Sequence, residues 1–337
     1  MKTPKIIEKK KYEAAVIIHH IDGDGYCGAF WAYEYALSCG IDTSKIFFRK
    51  HDYAYSVNLP NIVDNMLLIM VDISFPIGVM EDLYNKIYAT KGSEFIWVDH
   101  HATAISELKE LDMPGIRYSG IAASELMYWY HKGYTQEDIE TKNTSKIAAH
   151  FEPPATPYLS EDVPLGTWFV ADNDVWAHTT RNTRYYAQYV HENLPKNGYN
   201  DKTYGEWVDM FKAGVSIVQS NIDAGRVLYN NLVENVWKPL VKEGAKKSIT
   251  VGQKTYSAYV VETGKYNSFM FESVEDTVDL FVKHVVTNDN RHKYTLYTGN
   301  SAEARHINIG ALCKEIVPNG GGHFGAGGFI SDTEAFI

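Results

Sequence analysis

The chain has few cysteines, no long apolar run and no excess of positive charge, and each absence excludes a class of protein. Its 337 residues include only Cys27, Cys39 and Cys313. Three scattered cysteines are too few for a disulfide framework or a thiolate zinc site. No segment approaches the roughly 18 unbroken apolar residues that a membrane span requires. The formal net charge of −10 argues against binding of long duplex DNA, because phosphate contacts normally require a basic surface.

These absences lead us to expect a folded cytoplasmic protein with reduced cysteines, no membrane association and no stable duplex binding. A hydrophobic content of 45% and an aromatic content of 13% are typical of a globular protein. Residues 1–11 are rich in lysine but lack the apolar stretch and small-residue cleavage site of a secretory signal. The sequence leaves the oligomeric state open, with a homodimer among the options.

Polar clusters follow three apolar runs of the sequence. The runs at 14–18, 66–71 and 95–98 are typical of strands buried on both faces of a parallel sheet. The residues that follow them are His20, Asp22 and Asp24 after the first run, Asp72 after the second, and Asp99, His100 and His101 after the third. The carboxyl ends of parallel strands meet at one edge of the sheet, where open α/β sheets bind ligands. These side chains are therefore expected to converge.

The convergence of carboxylates and imidazoles predicts a metal centre. Burying unpaired carboxylates costs several kcal/mol unless a cation neutralises them. Mixed oxygen and nitrogen ligands suit Mn²⁺, Mg²⁺, Fe²⁺ or Co²⁺ better than structural zinc. The number of ligands exceeds what one open-coordinate ion needs, whereas two ions about 3.5 to 4 Å apart and bridged by a carboxylate would use them all. That arrangement is suited to the hydrolysis of phosphate esters.

The organisation of the chain indicates an α/β protein. Strand-like and helix-like segments alternate from residue 13 to about 185, which predicts a parallel sheet flanked by helices. Apolar residues spaced by three or four predict an extended amphipathic helical region at 204–242, with Gly225 as the candidate break. The stretch 243–248 is the most linker-like segment.

The pattern beyond residue 248 predicts a second α/β region. We expect strands at 255–261 and 294–297, separated by a helix from Val274 to about Val285 that Ser273 would cap. Another helix is predicted from Ile309 to Ile316, with Asn308 as its cap. The glycine-rich segment 320–328 follows it.

The order of these motifs resembles that of the DHH phosphoesterase family. The residues of this chain that resemble the four motifs of that family are, in order, His20-x-Asp22-x-Asp24-Gly25, Asp72, Asp99-His100-His101 and Ala171-Asp172-Asn173-Asp174. The segment 320–328 resembles the glycine-rich signature of the DHH-associated C-terminal domain. The resemblance covers almost the whole chain and implies a parallel-sheet DHH domain at 1–203, a helical connector at 204–247 and a smaller α/β substrate-binding domain at 248–337.

The resemblance also implies roles for individual residues. One metal would be bound by His20 and Asp22, the other by Asp24, His100 and Asp172, and Asp72 would bridge them. The catalytic pair would be His101 beside the scissile phosphate and Asp99, which would orient the histidines. The fourth motif offers both Asp172 and Asp174, and the position in the pattern favours Asp172.

In the C-terminal domain, the resemblance implies that Gly321, Gly322 and His323 bind substrate phosphate through backbone N–H groups and an imidazole. Family members usually carry an arginine on the strand before the glycine loop, where this chain has Tyr294 to Tyr297. Arg305 is the candidate for the positive charge that this arginine would supply. The alternative is that this protein holds its substrate in a different way.

The expected function is a manganese-dependent phosphodiesterase that hydrolyses short oligonucleotides or dinucleotides to mononucleotides by two-metal activation of water, with Mg²⁺, Co²⁺ or Fe²⁺ as alternative ions. Two other reactions share this chemistry: hydrolysis of a cyclic dinucleotide and dephosphorylation of a nucleoside bisphosphate. A single-strand exonuclease ranks lower, because it would need a basic channel as long as the strand. A non-catalytic nucleotide sensor is disfavoured because suitable side chains occupy all the expected ligand positions.

Overall fold

A computed structural model describes residues 12–53, 57–141, 163–194, 203–318, 320–322 and 324–336. His323, one of the predicted substrate-binding residues, lies outside these ranges. The chain divides into two compact units, Met1–Leu228 and Tyr229–Ile337. Each unit has its own sheet and its own apolar core.

The first unit is built on a parallel sheet of four strands. They are β1 (Ala14–His20), β2 (Ile46–His51), β3 (Met66–Val71) and β4 (Glu94–Val98), in the order β2-β1-β3-β4. Every residue of β3 is buried, as expected for a central strand covered on both faces. His19 pairs with Val71, and Val71 pairs with Val98, so β1, β3 and β4 end at the same edge. The predicted parallel sheet is therefore confirmed.

Helices follow or connect these strands. The helices of this unit are α1 (Gly23–Ser38), α2 (Ile77–Ala89), α3 (Ala102–Glu107), α4 (Ala123–His131), α5 (Leu165–Asp174), α6 (Arg181–Asn193), α7 (Tyr204–Phe211) and α8 (Val215–Leu232), and a short 3₁₀ helix spans Thr43–Lys45. On α2, the buried residues Met80, Leu83 and Ile87 recur at helical spacing and join the core of the sheet. No helix among the described residues is both long and apolar enough to cross a membrane.

The predicted helical region at 204–242 is helical, but its break lies elsewhere than expected. It contains α7, α8, a π-helical turn (Val233–Trp237) and α9 (Lys238–Lys242). The break separates α7 from α8, while Gly225 lies inside α8. A Cβ at Gly225 would come within 1.9 Å of the Tyr185 carbonyl oxygen. Glycine at this position therefore permits close packing and does not interrupt the helix.

The second unit contains a mixed sheet of six strands. They are β5 (Ala245–Val251), β6 (Lys254–Glu262), β7 (Leu280–Val286), β8 (His292–Thr298), β9 (Gly321–Gly322) and β10 (Ala326–Ser331), in the order β5-β6-β7-β8-β10-β9. Only β6 and β7 pair in parallel among these strands. Short 3₁₀ helices span Ser268–Ser273 and Ala304–His306. Helix α10 (Ile309–Ile316) is capped by Asn308, whose side chain accepts from the Ala311 N–H at 3.0 Å, as predicted.

Two predictions for this region are wrong. The segment predicted as a helix from Val274 to Val285 contains strand β7, in which Leu280, Val282 and His284 are buried in strict alternation. The linker-like stretch 243–248 largely forms β5. Its lysines lie on an edge strand of the sheet, where charged side chains remain solvated and discourage pairing with other chains.

Helix α5, which carries the fourth motif, is fixed by a buried threonine. The Thr167 hydroxyl accepts from the Trp31 indole N–H at 2.9 Å and donates to the Phe211 carbonyl at 2.8 Å. All three side chains are buried. One hydroxyl therefore joins α5 to α1 and α7 and determines where the end of α5 lies.

We predict that Thr167→Val lowers the free energy of unfolding by about 1 to 3 kcal/mol, because the buried Trp31 N–H and Phe211 carbonyl each lose a partner. Urea unfolding followed by tryptophan fluorescence measures this loss. Thr167→Ser, which keeps the hydroxyl, is the matched control and should lose less. A loss in Thr167→Ser without one in Thr167→Val would show that the methyl group, and not the hydroxyl, is what matters.

Candidate metal centre

The first motif folds into a compact turn between β1 and α1. Asp22 caps α1 by accepting from the Gly25 N–H at 2.9 Å, and its other oxygen lies 2.8 Å from His20 Nδ1. A Cβ on Gly25 would come within 2.4 Å of the His20 carbonyl oxygen, so only glycine fits there without a shift. His20 Nδ1 also lies 3.6 Å from Asp72 Oδ2. These contacts form a first set of possible ligands: His20, Asp22 and Asp72.

The charge on His20 follows from its neighbours. Burial lowers the pKa of an imidazole, but the carboxylates of Asp22 and Asp72 outweigh burial and raise the pKa of His20 to about 12. In the absence of another cation, a proton on His20 thus balances the carboxylates. A divalent ion could replace that proton.

Asp72 lies at the centre of the site and adopts an uncommon backbone conformation. Its φ of 59° is in the left-handed region, which aspartate tolerates better than most residues. Its N–H still donates to the Val98 carbonyl at 3.0 Å, so the turn comes directly after the sheet pairing. The side chain is buried, with Oδ1 3.3 Å from His100 Nε2. Asp72 therefore contacts both halves of the centre.

The second set of possible ligands is Asp24, His100 and Asp174. His100 Nε2 lies 3.9 Å from Asp24 Oδ2 and 3.3 Å from Asp174 Oδ2. Burial, together with the nearby Asp174 and Asp72 carboxylates, raises the pKa of Asp24 well above its usual range. Burial also raises the pKa of Asp174 to about 7, with Asp72 adding to the rise although His100 opposes it. Crowded buried carboxylates of this kind are stabilised by a cation.

Asp24 is held in place by the start of α4. One carboxylate oxygen accepts from the Ala123 N–H at 2.9 Å, and the other accepts from the Ser124 N–H at 3.0 Å and from the Ser124 hydroxyl. Helix N-termini present unpaired N–H groups and a positive dipole end to such anions. Ser124 was not among the predicted site residues.

The structure places the two aspartates of the fourth motif in different surroundings. Asp172, favoured by the sequence pattern, is not in any of the possible ligand sets formed by described residues. Its carboxylate accepts from the Thr179 N–H at 3.0 Å and from the hydroxyls of Thr179 and Thr183. Residues two apart on a helix point in different directions, so α5 can direct only one of these aspartates toward His100. That residue is Asp174.

Asp99 lies behind the paired histidines. One oxygen accepts from the His100 N–H at 2.7 Å, the His101 N–H at 3.0 Å and the His101 ring at 2.6 Å, and the other accepts from the Trp97 indole at 3.2 Å. Burial raises the pKa of Asp99, but the His101 ring lowers it more, so the pKa ends below its ordinary value. Asp99 is thus a buried carboxylate with satisfied oxygens that fixes the His101 ring.

The residues present fit a centre for divalent cations. Oδ2 of Asp72 and Oδ2 of Asp174 are buried and accept no hydrogen bond from any described residue. Such orphaned oxygens are rare and call for a missing partner. A third set, Asp72, His100 and His101, shares residues with the other two. Oxygen and imidazole nitrogen are ligand types suited to hard and borderline divalent ions.

One row of the second sheet contains a lysine and two glycines of the glycine-rich segment 320–328. Lys283 pairs with Thr295, Thr295 with Gly328, and Gly328 with Gly321, so these residues share one face of the sheet. A Cβ at Gly321 would meet nothing within 4 Å, so the surface over that position is open. Gly322 has a φ of 140°, which favours glycine. Arg305 is exposed on a 3₁₀ turn.

Lys283 is a candidate anion-binding residue that the sequence analysis missed. Its ammonium donates to the Tyr266 carbonyl at 2.6 Å and lies over the Tyr297 ring, and no described carboxylate pairs with it. Burial, with Lys293 nearby, lowers the pKa of Lys283 to about 8. The alternation of buried residues along β7 is the signal that would have placed Lys283 on a strand, in a segment predicted to be a helix.

Comparison with solved structures identifies the fold. No protein-family model matches the chain, and no curated protein matches it significantly. A DHH domain from a member of a family of ribosomal proteins superposes with a TM-score of 0.54 at 13% identity, covering 95% of this chain and 82% of that one.

Two further matches are more distant. The pGpG-specific phosphodiesterase PggH from Vibrio cholerae has a TM-score of 0.43 at 12% identity, covering 95% of this chain and 93% of its own. Exonuclease RecJ bound to manganese has a TM-score of 0.43 at 13% identity, and the match covers 95% of this chain and 86% of the RecJ chain. The chain thus has the DHH fold that its motifs implied, and this conclusion rests on the first match.

Substitution of the two aspartates of the fourth motif should have different effects, one on metal binding and the other on stability. We predict that Asp174→Asn weakens Mn²⁺ binding at least about tenfold, because a ligand oxygen loses its charge. Asp172→Ala should instead lower the free energy of unfolding by about 1 to 3 kcal/mol, because two hydroxyls and an N–H lose their acceptor. Calorimetric Mn²⁺ titration and thermal melting of both variants measure these effects. The opposite pattern would restore Asp172 as the ligand.

Proposed function

We propose that this protein is a two-metal phosphodiesterase that hydrolyses short oligonucleotides or dinucleotides to mononucleotides, with Mn²⁺ as the preferred ion. The observation that carries the proposal is the pair of adjacent ligand sets, His20, Asp22 and Asp72 in the first and Asp24, His100 and Asp174 in the second, with Asp72 Oδ1 3.3 Å from His100 Nε2. Two such sets on one strand edge are the arrangement that two-metal hydrolysis requires.

The residues of the metal centre have different proposed roles. When bound, two divalent ions would activate water and neutralise the charge that develops on the phosphate. His20 and Asp22 would hold one ion, and Asp24, His100 and Asp174 would hold the other. Asp72 would contact both and keep their separation.

His101 is proposed to contact the scissile phosphate or the leaving group. The bond from its Nδ1 to Asp99 at 2.6 Å fixes the plane of the ring, and Nε2 is the nitrogen that we propose to face the substrate. Asp99 then acts as a positioning residue. Its own oxygens are already satisfied within the protein, which leaves it no role as a ligand.

The second unit is proposed to hold an anionic part of the nucleotide. The row formed by Lys283, Thr295, Gly328 and Gly321 combines a cation with open backbone at Gly321. Such surfaces accept phosphate through N–H groups and a point charge. Lys283 is a better candidate than the exposed Arg305 for the cation that the resemblance placed near the glycine segment.

The activity is tested by a substrate screen with Mn²⁺ present. Dinucleotides and 3- to 5-mers of RNA and DNA should release mononucleotides. Cyclic dinucleotides, nucleoside bisphosphates and strands of about 24 nucleotides should react more slowly. Turnover confined to cyclic dinucleotides or bisphosphates would replace the proposed substrate, and processive digestion of long strands would indicate an exonuclease. No turnover on any of them would contradict the proposal.

The bridging role of Asp72 predicts a joint loss of metal and activity. Asp72→Asn is the appropriate change, because asparagine tolerates a φ near 59° and only the charge is removed. We expect Mn²⁺ stoichiometry to fall from two ions per chain and turnover to fall at least about 100-fold. Metal analysis and dinucleotide hydrolysis measured together decide this. The surface variant Asp112→Asn should change neither, and normal turnover in Asp72→Asn would exclude a bridging role.

The lowered pKa of Lys283 predicts a difference in pH dependence. The ammonium binds anions below its pKa of about 8 and loses its charge as the pH rises through that value, so kcat/KM should fall above pH 8. In Lys283→Arg the cation persists, so that the fall should move to higher pH. Effects of pH on the metal centre are common to both proteins and cancel in the comparison. Superimposable profiles would exclude Lys283 from substrate binding.

A further inference from the structure

Tyr53 lies beside the metal centre, although it belongs to none of the four motifs. It follows shortly after the end of β2. Its ring centroid lies 5.7 Å from that of His20 and 6.2 Å from that of His101. Its hydroxyl accepts at 3.3 Å from the N–H of Ser74, in the loop that begins with Asp72. One side chain therefore contacts the segments that carry the first three motifs.

The two imidazoles that Tyr53 contacts are also held by aspartates. His20 Nδ1 lies 2.8 Å from Asp22, and His101 Nδ1 lies 2.6 Å from Asp99. The ring of Tyr53 makes angles of 47° with the His20 ring and 72° with the His101 ring, and tilted and edge-to-face contacts are favourable at these distances. A functional side chain keeps one orientation when packing supports its hydrogen bonds. Tyr53 supplies that packing for both rings.

The position of Tyr53 depends on several strands. Strand β2 is at the edge of the sheet, and β1, β3 and β4 follow it in that order. Tyr53, which comes after β2, contacts His20 at the end of β1, Ser74 after β3 and His101 after β4. The residue is 53% exposed, whereas Asp72 is buried. Tyr53 thus reaches across the strand ends at the border between the metal centre and solvent.

We propose that Tyr53 is a positioning residue for the reaction, which keeps the rings of His20 and His101 and the loop after β3 in one arrangement. The inference rests on the proposed function, in which His20 binds a metal and His101 contacts the phosphate. A misplacement of about 1 Å among reacting groups can cost about 100-fold in rate, so a side chain that restrains both rings affects the chemical step.

The test compares Tyr53→Leu and Tyr53→Phe in hydrolysis of the dinucleotide ApA by the Mn²⁺-loaded protein. Tyr53→Leu keeps an apolar side chain without a ring, so kcat should fall about tenfold or more while KM stays within about twofold. Tyr53→Phe keeps the ring and loses one long hydrogen bond, so kcat should stay within about threefold of the wild type. Metal analysis should give the same Mn²⁺ stoichiometry in all of them. Tyr88→Leu replaces another exposed tyrosine of this unit, on α2, and should leave kcat unchanged.

Several outcomes would overturn the inference. One is an unchanged kcat in Tyr53→Leu. Another is a rise in KM alone, which would make Tyr53 a substrate contact. Equal losses of kcat in Tyr53→Leu and Tyr53→Phe would assign the effect to the hydroxyl and not to the ring. Loss of Mn²⁺ together with activity in Tyr53→Leu would indicate disruption of the whole centre.

A second measurement separates the role of Tyr53 from the proposed function. In the metal-free protein with ¹³C-labelled histidine, the ring current of Tyr53 should shift the Cε1–H resonances of His20 and His101. Tyr53→Leu should move both resonances and Tyr53→Phe should largely preserve them, while those of His284 and His292 in the second unit stay constant. If the wild type hydrolyses no dinucleotide, the proposed function fails, and the resonances alone decide on Tyr53. Unmoved resonances of His20 and His101 in Tyr53→Leu would show that its ring does not hold them.

Discussion

The structure of the first unit depends on the neutralisation of buried carboxylates at one edge of its sheet. Asp24, Asp72 and Asp174 lie within contact of one imidazole, His100, and burial raises the pKa of Asp24 and Asp174. Charges crowded in this way are unfavourable unless protons or cations balance them. The fold therefore maintains a site suited to divalent ions, and hydrolysis of a phosphate ester is the function that we propose for it.

Elements around this edge hold each carboxylate by a different means. Asp22 caps α1, Asp24 accepts from the start of α4, and Asp72 sits in a left-handed turn that follows β3. Asp99 receives four hydrogen bonds and contributes orientation alone. Pre-organised ligands of this kind keep the geometry that in-line attack requires without reorganisation during the reaction.

Much of this arrangement could be predicted from residues close together in sequence. Apolar runs followed by His20 or Asp99 identify strand ends, because a strand and the loop after it are local features. The cap at Asn308 was predictable for the same reason. Segments that contain both apolar and polar residues are harder to predict: β7 fits the pattern of a helix as well as that of a strand, because its packing partners are not known from the sequence.

The parallel sheet, the carboxylates and histidines that follow its strands, and the resemblance to the DHH family can be predicted from the sequence, since each follows from short motifs and their order. Which of Asp172 and Asp174 faces His100 could not be predicted, because it depends on the rotation of α5, which the buried hydroxyl of Thr167 joins to α1 and α7. The placement of Lys283 in one row with Gly321 likewise depends on strand pairing. Pairing joins residues far apart in sequence, and no local pattern specifies it.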